Sequence, residues 1–261
     1  MARKDIRHPA IMTKARDTDS QAKSLLWRIL PLAGCIAAWW IISYLNHRRV
    51  VPSPPETAAA LARLLAKPDT WLDIARTILR GGAGLAAGSI LAIAAGILCG
   101  QRRRLYDAAS PVVTVAQSCP PIVWISILLV WLSIGGLLPM TVAFLSVFPV
   151  FFFNVANAVH SLDAKYFELA KVYRIPRLKT LANITLPGIS KALAAGFSYA
   201  LGITWKVTAT AEFFGSQDGI GSRIYQSYRQ LDLPELFAWT ILLATMGVTV
   251  EMLLARRFRG K

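Results

Sequence analysis

The chain has 261 residues, of which 55% are hydrophobic and only 16% are charged, a composition outside the usual range of a soluble domain of this length. Its formal net charge of +15 is distributed between long apolar runs, which argues against nucleic-acid binding. The three cysteines and three histidines have no spacing typical of disulfide frameworks or metal sites, so the sequence predicts a membrane protein without a metal or cofactor.

The first predicted membrane-spanning helix covers residues 25–45 and follows a basic tail at residues 1–24. About 20 residues at about 1.5 Å each are needed to cross roughly 30 Å of hydrocarbon. No small-residue cleavage site follows this stretch, so a retained span is predicted rather than a signal peptide. The next segment, VPSPPETAAALARLLAKP, predicts a short amphipathic helix at the membrane surface.

Five further spans are predicted, at residues 77–99, 122–134, 138–159, 188–211 and 236–254. In the second span, Gly84 and Gly88 are four residues apart, as are Gly96 and Gly100. Small residues at that spacing let helix backbones approach closely in lipid, although glycine is also common in such helices generally. Arg80, near the outer end of the same span, is expected to extend to the membrane interface.

Proline residues interrupt the third and fourth predicted spans. The third opens with a Cys-Pro-Pro sequence, and the fourth contains Pro149. Proline is tolerated there only when neighbouring helices or water satisfy the freed carbonyl groups. This pattern favours a packed bundle with an aqueous path.

The distribution of lysine and arginine predicts the orientation of the six spans. With the N-terminus inside, the cytoplasmic segments hold 19 of these residues and the outer segments hold 7. Positive residues concentrate on the cytoplasmic side of membrane proteins. We therefore expect cytoplasmic tails at residues 1–24 and 256–261 and a transmembrane domain at residues 25–255.

In this orientation the loop at residues 160–187 is cytoplasmic, and residues 163–175 are predicted to form a helix. Ser161 or Asp163 can cap its start, and Pro176 disfavours helical geometry at Ile175. One face of this helix is expected to carry an exposed apolar stripe, which comprises Tyr166, Leu169, Ala170 and Tyr173. Such a stripe is typical of a surface that binds a partner protein.

The same loop resembles the signature of the membrane-spanning subunits of bacterial ATP-binding cassette (ABC) importers. That signature reads E-A-A, followed by a glycine four positions after the last alanine, and it ends in I-x-L-P. Glu168 and Ala170 match its start, and Ile184, Leu186 and Pro187 match its end. Leu169 and Arg174 depart from it. Because arginine resists positive φ, Pro176 is expected to make the turn that glycine would make.

Two other stretches resemble the nitrate, sulfonate and taurine branch of these importers, CPPIVWISILLVWLSIGG and WKVTATAEFFGSQDGIG, and the similarity extends over residues 50–258. It implies an all-α, polytopic fold of six transmembrane helices with a cytoplasmic coupling helix, similar to type I importers, in the bacterial inner membrane. The implied assembly is a homodimer with two cytoplasmic ATP-binding subunits and an extracytoplasmic solute-binding protein. The chain lacks GxxxxGK[ST], so it is predicted to be no enzyme itself.

The resemblance implies contact with the ATPase for eight residues of the loop: Tyr166, Glu168, Leu169, Ala170, Tyr173, Arg174, Leu186 and Pro187. Lys206 is a candidate for the translocation path. A charge inside the membrane is energetically costly unless it is paired or hydrated, and such charges commonly mark a functional site. Its alternative role is a structural pair with Glu212, but six residues place the two about 120° apart on a helix. The other path candidates are Trp205, Glu212, Trp124 and Asn154.

The expected solute is a small anion such as nitrate, a sulfonate or taurine. Members of the same branch also carry neutral or aromatic compounds such as pyrimidine precursors, and that alternative stays open. A secondary transporter or channel would show paired repeats with several midplane charges, whereas Lys206 is the single candidate here. An intramembrane enzyme would need a catalytic pair within the spans, and the sequence contains no such pattern.

Overall fold

The computed structural model describes residues 30–31, 33–45 and 50–259, with side chains up to Leu253. The chain divides into two compact units, residues 1–59 and residues 60–261. The predicted N-terminal tail at residues 1–24 and the start of the first predicted span lie outside the described residues. In the described part of that span, α1 runs over Ala33–Leu45.

In the first unit, the segment after α1 lies alongside it. The indole of Trp39 donates to the carbonyl of Pro52 at 3.0 Å, and the hydroxyl of Ser43 donates to the carbonyl of Val51 at 2.9 Å. The predicted surface helix is present as α2 (Pro54–Leu65). A reciprocal capping box starts it, because Glu56 accepts from the Ser53 amide at 2.9 Å and Ser53 accepts from the Glu56 amide at 3.4 Å.

Helices also make up the second unit. They are α3 (Pro68–Gly100), α4 (Arg103–Ser118), α5 (Pro121–Leu132), α6 (Leu137–His160), α7 (Ala164–Val172), α8 (Arg177–Thr180), a π-helical turn (Leu181–Thr185), α9 (Leu186–Gly188), α10 (Ser190–Gly215), α11 (Ile220–Gln230) and α12 (Leu233–Arg259). The predicted all-α class is therefore confirmed. Within the described residues, α3, α6 and α12 are each long and apolar enough to cross a membrane.

The third predicted span, residues 122–134, differs from the observed structure. It coincides with α5, whose 12 residues reach only about 18 Å. The preceding α4 was not predicted. The two helices meet at a bend of 93°, and only together are they long and apolar enough to cross a membrane. Pro120 adopts an extended conformation at the bend (φ −56°, ψ 143°), so the Cys-Pro-Pro sequence breaks the span internally rather than opening it.

The fifth predicted span corresponds to α10, which has 26 residues and a length of about 39 Å. It is long enough to cross a bilayer, but polar side chains such as Lys206 lower its hydropathy. Its buried positions face α6, α3 and α11, and its exposed positions form a stripe along the opposite side, comprising Lys191, Ala195, Ser198, Tyr199, Lys206, Thr210 and Phe214.

The close approach predicted from the glycine spacing is confirmed in the packing of α3 against α6. A Cβ atom on Gly96 would lie 2.9 Å from Cβ of Val155 and 3.0 Å from the carbonyl oxygen of Phe152. Gly84, Gly88 and Gly100 have comparably close neighbours on α6. With Ala92, these residues form a small-residue stripe at every fourth position, so the backbone of α3 lies close to backbone and side-chain atoms of α6 along the crossing.

Candidate functional site

The candidate coupling helix α7 begins at an aspartate cap. Asp163 accepts a hydrogen bond from the amide of Lys165 at 2.9 Å, which satisfies one of the unpaired amides of the first turn. Of the two predicted caps, Asp163 is therefore the one that the structure uses.

The C-terminal end of α7 differs from the prediction that Pro176 makes the turn. The helix ends at Val172, and Arg174 itself has a left-handed conformation with φ 48°. The amide of Ile175 donates to the carbonyl of Ala170 at 2.8 Å, and that of Arg174 donates to the carbonyl of Lys171 at 3.1 Å. These are the two bonds of a Schellman motif, in which glycine is the preferred residue at the position of Arg174.

Replacing Arg174 with glycine is therefore expected to stabilise the end of α7 by about 1 kcal/mol, because an L-residue in this conformation costs roughly 1–2 kcal/mol. Slower amide hydrogen exchange in residues 168–175 would report the gain. Arg174→Ala is the control, since it removes the same charge but keeps a Cβ atom, and it should bring no gain. Equal protection in both variants would show that charge, and not backbone conformation, limits the helix end.

The exposed face of α7 carries large apolar side chains. Tyr166, Leu169 and Tyr173 are 59%, 58% and 72% exposed, respectively. Ala170, which was expected in the same stripe, is instead 5% exposed and faces its own subunit. Residues 166, 169 and 173 are spaced as i, i+3 and i+7, and residue 170 belongs to the buried side of the helix.

Behind α7 lies an open cavity of about 720 Å³, which the helix shares with the ends of α3 and α6. Glu168 and Arg174 line it, and both are also exposed. The last two residues of the predicted motif, Leu186 and Pro187, are both exposed on α9, which follows the π-helical turn. Gly188 packs closely against Leu162, so the end of the motif is joined to the loop before α7.

The structure separates the candidate path residues from one another. Lys206 is exposed, and it has no ion-pair partner among the residues that the structure describes. Trp205 is 5% exposed and packs in the core against Gly81 and Gly247, with its indole nitrogen unpaired. Lys206 and Trp205 therefore point to different sides of α10, although they are adjacent in sequence.

Two further path candidates are engaged in contacts between helices. The indole of Trp124 donates to the carbonyl of Ala116 at 3.3 Å and so joins α5 to α4 across their bend. Asn154 is exposed on α6 and lies close to Gly196 of α10. Trp124 is thus placed to maintain the broken span, and Asn154 is placed at the α6–α10 contact.

The remaining candidate, Glu212, is fully buried, and both of its carboxylate oxygens are bonded. Oε1 accepts from Arg80 at 3.1 Å, and Oε2 accepts from the hydroxyl of Thr77 at 2.8 Å and from the amide of Gly221 at 3.1 Å. A buried charge needs such compensation, and here it comes from inside the subunit. The geometry favours a structural role for Glu212.

The prediction that Arg80 extends to the membrane interface is wrong. Its side chain is 15% exposed, and it pairs with both Glu212 and Asp218. It also donates to the hydroxyl of Ser216 at 3.0 Å and to the carbonyl of Asp218 at 2.9 Å. Two carboxylates lie within its reach, so these ion pairs replace the hydration that the interface would have offered.

These residues belong to a polar cluster, which comprises Asp73, Thr77, Arg80, Glu212 and Asp218 and is buried except at the partly exposed Arg80 and Asp218. The cluster holds the first turn of α11. Asp73 accepts from the amide of Gly219 at 2.9 Å, and Thr77 accepts from that of Ile220 at 2.9 Å, while Glu212 accepts from that of Gly221. Unpaired amides at a helix start favour negative charge, so two carboxylates from other helices fit there.

Gly219 has a specific requirement for glycine in this arrangement. Its φ is 98°, and a Cβ atom would fall on the carboxylate of Glu212. Glu212, Gly219 and Gly221 of the WKVTATAEFFGSQDGIG stretch are thereby explained as parts of one helix cap.

Two more arginines lie at the rim of the polar cluster. Arg223 pairs with Asp73 at 2.6 Å, and Arg76 pairs with Asp218 at 3.2 Å. Burial by itself would raise the pKa of the Asp218 carboxyl, but the hydrogen bond and charge of Arg80 outweigh it. The pKa of Asp218 is consequently held below its usual value, with smaller contributions from Arg76 and the Ser216 hydroxyl.

Sequence reasoning missed Asp73, Thr77 and Asp218. A signal was present, because Asp73, Thr77 and Arg80 are spaced as i, i+4 and i+7 and so share one helix face. The predicted second span began at Thr77, which separated Asp73 from the other two residues.

Comparisons with known proteins agree with this architecture. The family described as binding-protein-dependent transport system inner membrane component matches residues 88–259. The chain is 25% identical over 221 residues to SsuC of Bacillus subtilis (strain 168), a permease protein assigned provisionally to aliphatic sulfonates, covering 84% of this chain and 80% of SsuC. It is 23% identical over 225 residues to the nitrate import permease protein NrtB of a Synechocystis species, covering 83% of this chain and 82% of NrtB.

A solved structure has the same fold. A chain from inward-facing conformations of the MetNI methionine ABC transporter superposes with a TM-score of 0.64 at 18% identity. The superposition covers 75% of this chain and 98% of that one. At this level of identity the likeness concerns the fold alone.

Proposed function

The chain belongs to the family of binding-protein-dependent transport system inner membrane components, and from this premise we propose that it is the permease subunit of an ATP-driven importer of small anions. Each copy would work with a second copy of itself, two cytoplasmic ATPase subunits and an extracytoplasmic solute-binding protein. The lysine and arginine distribution supports an orientation with both termini in the cytoplasm.

The observation that carries this proposal is the exposed apolar face of α7. Tyr166, Leu169 and Tyr173 are more than half exposed on a nine-residue helix that has an aspartate cap at one end and a Schellman motif at the other. Such a helix is ordered without a partner and yet leaves apolar surface to be covered. We propose that a groove of the ATPase covers it and that ATPase closure is transmitted to α6 and α10 through α7.

Lys206 supports an anionic solute. It lies on the exposed stripe of α10, within a helix long enough to cross the bilayer. A lysine facing hydrocarbon costs about 2.5 kcal/mol or more, so a watery path or a second copy is the more favourable neighbour for this stripe. The relatives SsuC and NrtB, named for aliphatic sulfonates and nitrate, both point to anions. We therefore propose that this stripe lines the path at the contact between two copies.

Replacing both Glu168 and Tyr173 with alanine is expected to reduce retention of the ATPase by tenfold or more. Loss of a buried interfacial tyrosine commonly costs about 2 kcal/mol or more of binding free energy. The measurement is the ratio of ATPase to permease after purification through a tag on the permease, from cells that produce the permease together with a candidate ATPase subunit.

The matched control replaces Glu251 and Tyr228, an exposed glutamate on α12 and an exposed tyrosine on α11. This variant should keep the normal ratio of ATPase to permease. Undiminished retention in the Glu168 and Tyr173 variant would count against α7 as the docking helix.

A further inference from the structure

A second cavity, of about 430 Å³, lies where the end of α10 meets one face of α11, beside the polar cluster. Its volume is within the range of small-molecule sites. Residues from three parts of the chain line it: Ile134, Phe213, Phe214, Ser216, Gln217, Ser222, Tyr225, Gln226 and Arg229. Four of these, Ser222, Tyr225, Gln226 and Arg229, share one face of α11 because they follow helical spacing.

The only charged group among the residues that line this cavity is the guanidinium of Arg229. Arg229 has no carboxylate partner among the described residues, and none of the lining residues carries a carboxyl group. Gln226 uses its carbonyl oxygen to accept from Arg223 at 3.1 Å, which leaves its amide protons available. The nearby carboxylate of Asp218 is occupied by Arg80 and Arg76. The electrostatics of the cavity thus favour an anion.

Aromatic rings form part of the cavity wall. The ring of Phe213 lies edge to face with those of Phe214 and Tyr225, with centroids 5.1 Å apart in each pair. The guanidinium of Arg229 lies 5.8 Å from the centre of the Tyr225 ring, a distance at which cation and ring attract each other. A cation and an apolar wall therefore meet in one cavity.

The cavity is also held rigidly. The first turn of α11, which carries Ser222, is fixed by the polar cluster through the amides of residues 219–221. A site whose walls are already in place loses less conformational entropy on binding. Arg229, at the far end of the same helix, is oriented by Tyr225.

We propose that this cavity binds a small organic anion, with its charged head at Arg229 and its hydrocarbon part against Phe213, Phe214 and Tyr225. Arginine can donate two parallel hydrogen bonds to a sulfonate or carboxylate. The inference rests on the proposed function for the orientation that places the cavity on the outer side, where a binding protein would release its solute. It deepens that function by giving the solute an apolar part.

The test uses the purified permease with its ATPase in nanodiscs of zwitterionic lipid, titrated with 1-hexanesulfonate by calorimetry. Arg229→Gln is expected to weaken binding about tenfold or more, because it removes charge-assisted hydrogen bonds. Arg229→Lys should restore part of the affinity. Nitrate, which lacks a tail, should bind more weakly, and hexylammonium, which has the opposite charge, should not bind.

Arg63→Gln, at an exposed arginine of α2, is the matched control and should leave binding unchanged. Equal affinity of the wild type and Arg229→Gln, or equal binding of hexylammonium, would overturn the proposal. Loss of hexanesulfonate binding in nanodiscs of phosphatidylglycerol would also overturn it, because the occupant would then be a lipid.

The ratio of ATPase to permease in the same preparations distinguishes failure of the anion site from failure of the proposed importer function. Retained ATPase without hexanesulfonate binding would remove this site and leave the importer in place. Binding without ATPase retention would keep the site and contradict the importer.

Discussion

Replacing Arg80 with alanine is expected to lower the free energy of unfolding by about 3–5 kcal/mol, because it leaves a buried carboxylate without its counter-charge. Glu212 is fully buried, and Arg80 is the cation that pairs with it. The same change removes the donors to Ser216 and Asp218, so the segment between α10 and α11 loses part of its attachment to α3. Unfolding by SDS titration in mixed micelles would measure the loss.

Arg76→Ala provides the matched control. Arg76 lies one turn before Arg80 on α3 and also pairs with Asp218, but its side chain is 46% exposed. Exposed ion pairs contribute about 0–1 kcal/mol, so this variant should be close to the wild type.

A double variant tests the cause of the loss. Glu212→Gln keeps the length of the side chain and one acceptor oxygen but removes the charge, so adding it to Arg80→Ala should recover part of the lost stability. If the double variant were no more stable than Arg80→Ala, an unpaired charge would not be the reason for the loss.

Replacing Gly96 with leucine is the second change with a large expected effect. A Cβ atom there would lie 2.9–3.0 Å from atoms of Val155 and Phe152, one of which is a backbone oxygen that cannot rotate away. The larger leucine must separate α3 from α6, and overpacking of this kind costs about 3 kcal/mol. The measurement is again the unfolding midpoint in SDS, together with the yield of monodisperse protein.

Gly82→Leu is the corresponding control on the same helix. No atom lies within 4 Å of a Cβ atom on Gly82, so leucine there has open space. It also removes a glycine from a helix, and the variant should be as stable as the wild type or slightly more stable. Similar losses at both positions would mean that the stripe is not what brings α3 and α6 together.

Several elements could be predicted from the sequence because local pattern dictates them. The spans at α3, α6, α10 and α12, the surface helix α2 and the cap at Asp163 follow from apolar length, proline position and hydrogen-bonding side chains. The glycine stripe was visible as a four-residue period, and the motif around Glu168 predicted the family. These features depend on neighbours within one or two turns of the chain.

Other features were mispredicted, either because distant segments decide them or because the local backbone adopts a less common conformation. Arg80 was expected at the interface because lone arginines near a span end commonly extend there, but its position is decided by carboxylates more than 130 residues away. The turn after α7 was assigned to Pro176, whereas the Schellman bonds impose positive φ on Arg174. The break between α4 and α5 lay outside the predicted third span.

The sequence by itself determined that this protein is an all-helical membrane permease with a short helix in the loop after α6, because hydrophobic length and short-range spacing are properties of contiguous residues. Only the tertiary structure decided which charges are paired, how α11 is capped and which cavity retains a free arginine. Those outcomes depend on helices that meet in space while being far apart along the chain. Their energies come from burial and charge pairing, which no local pattern records.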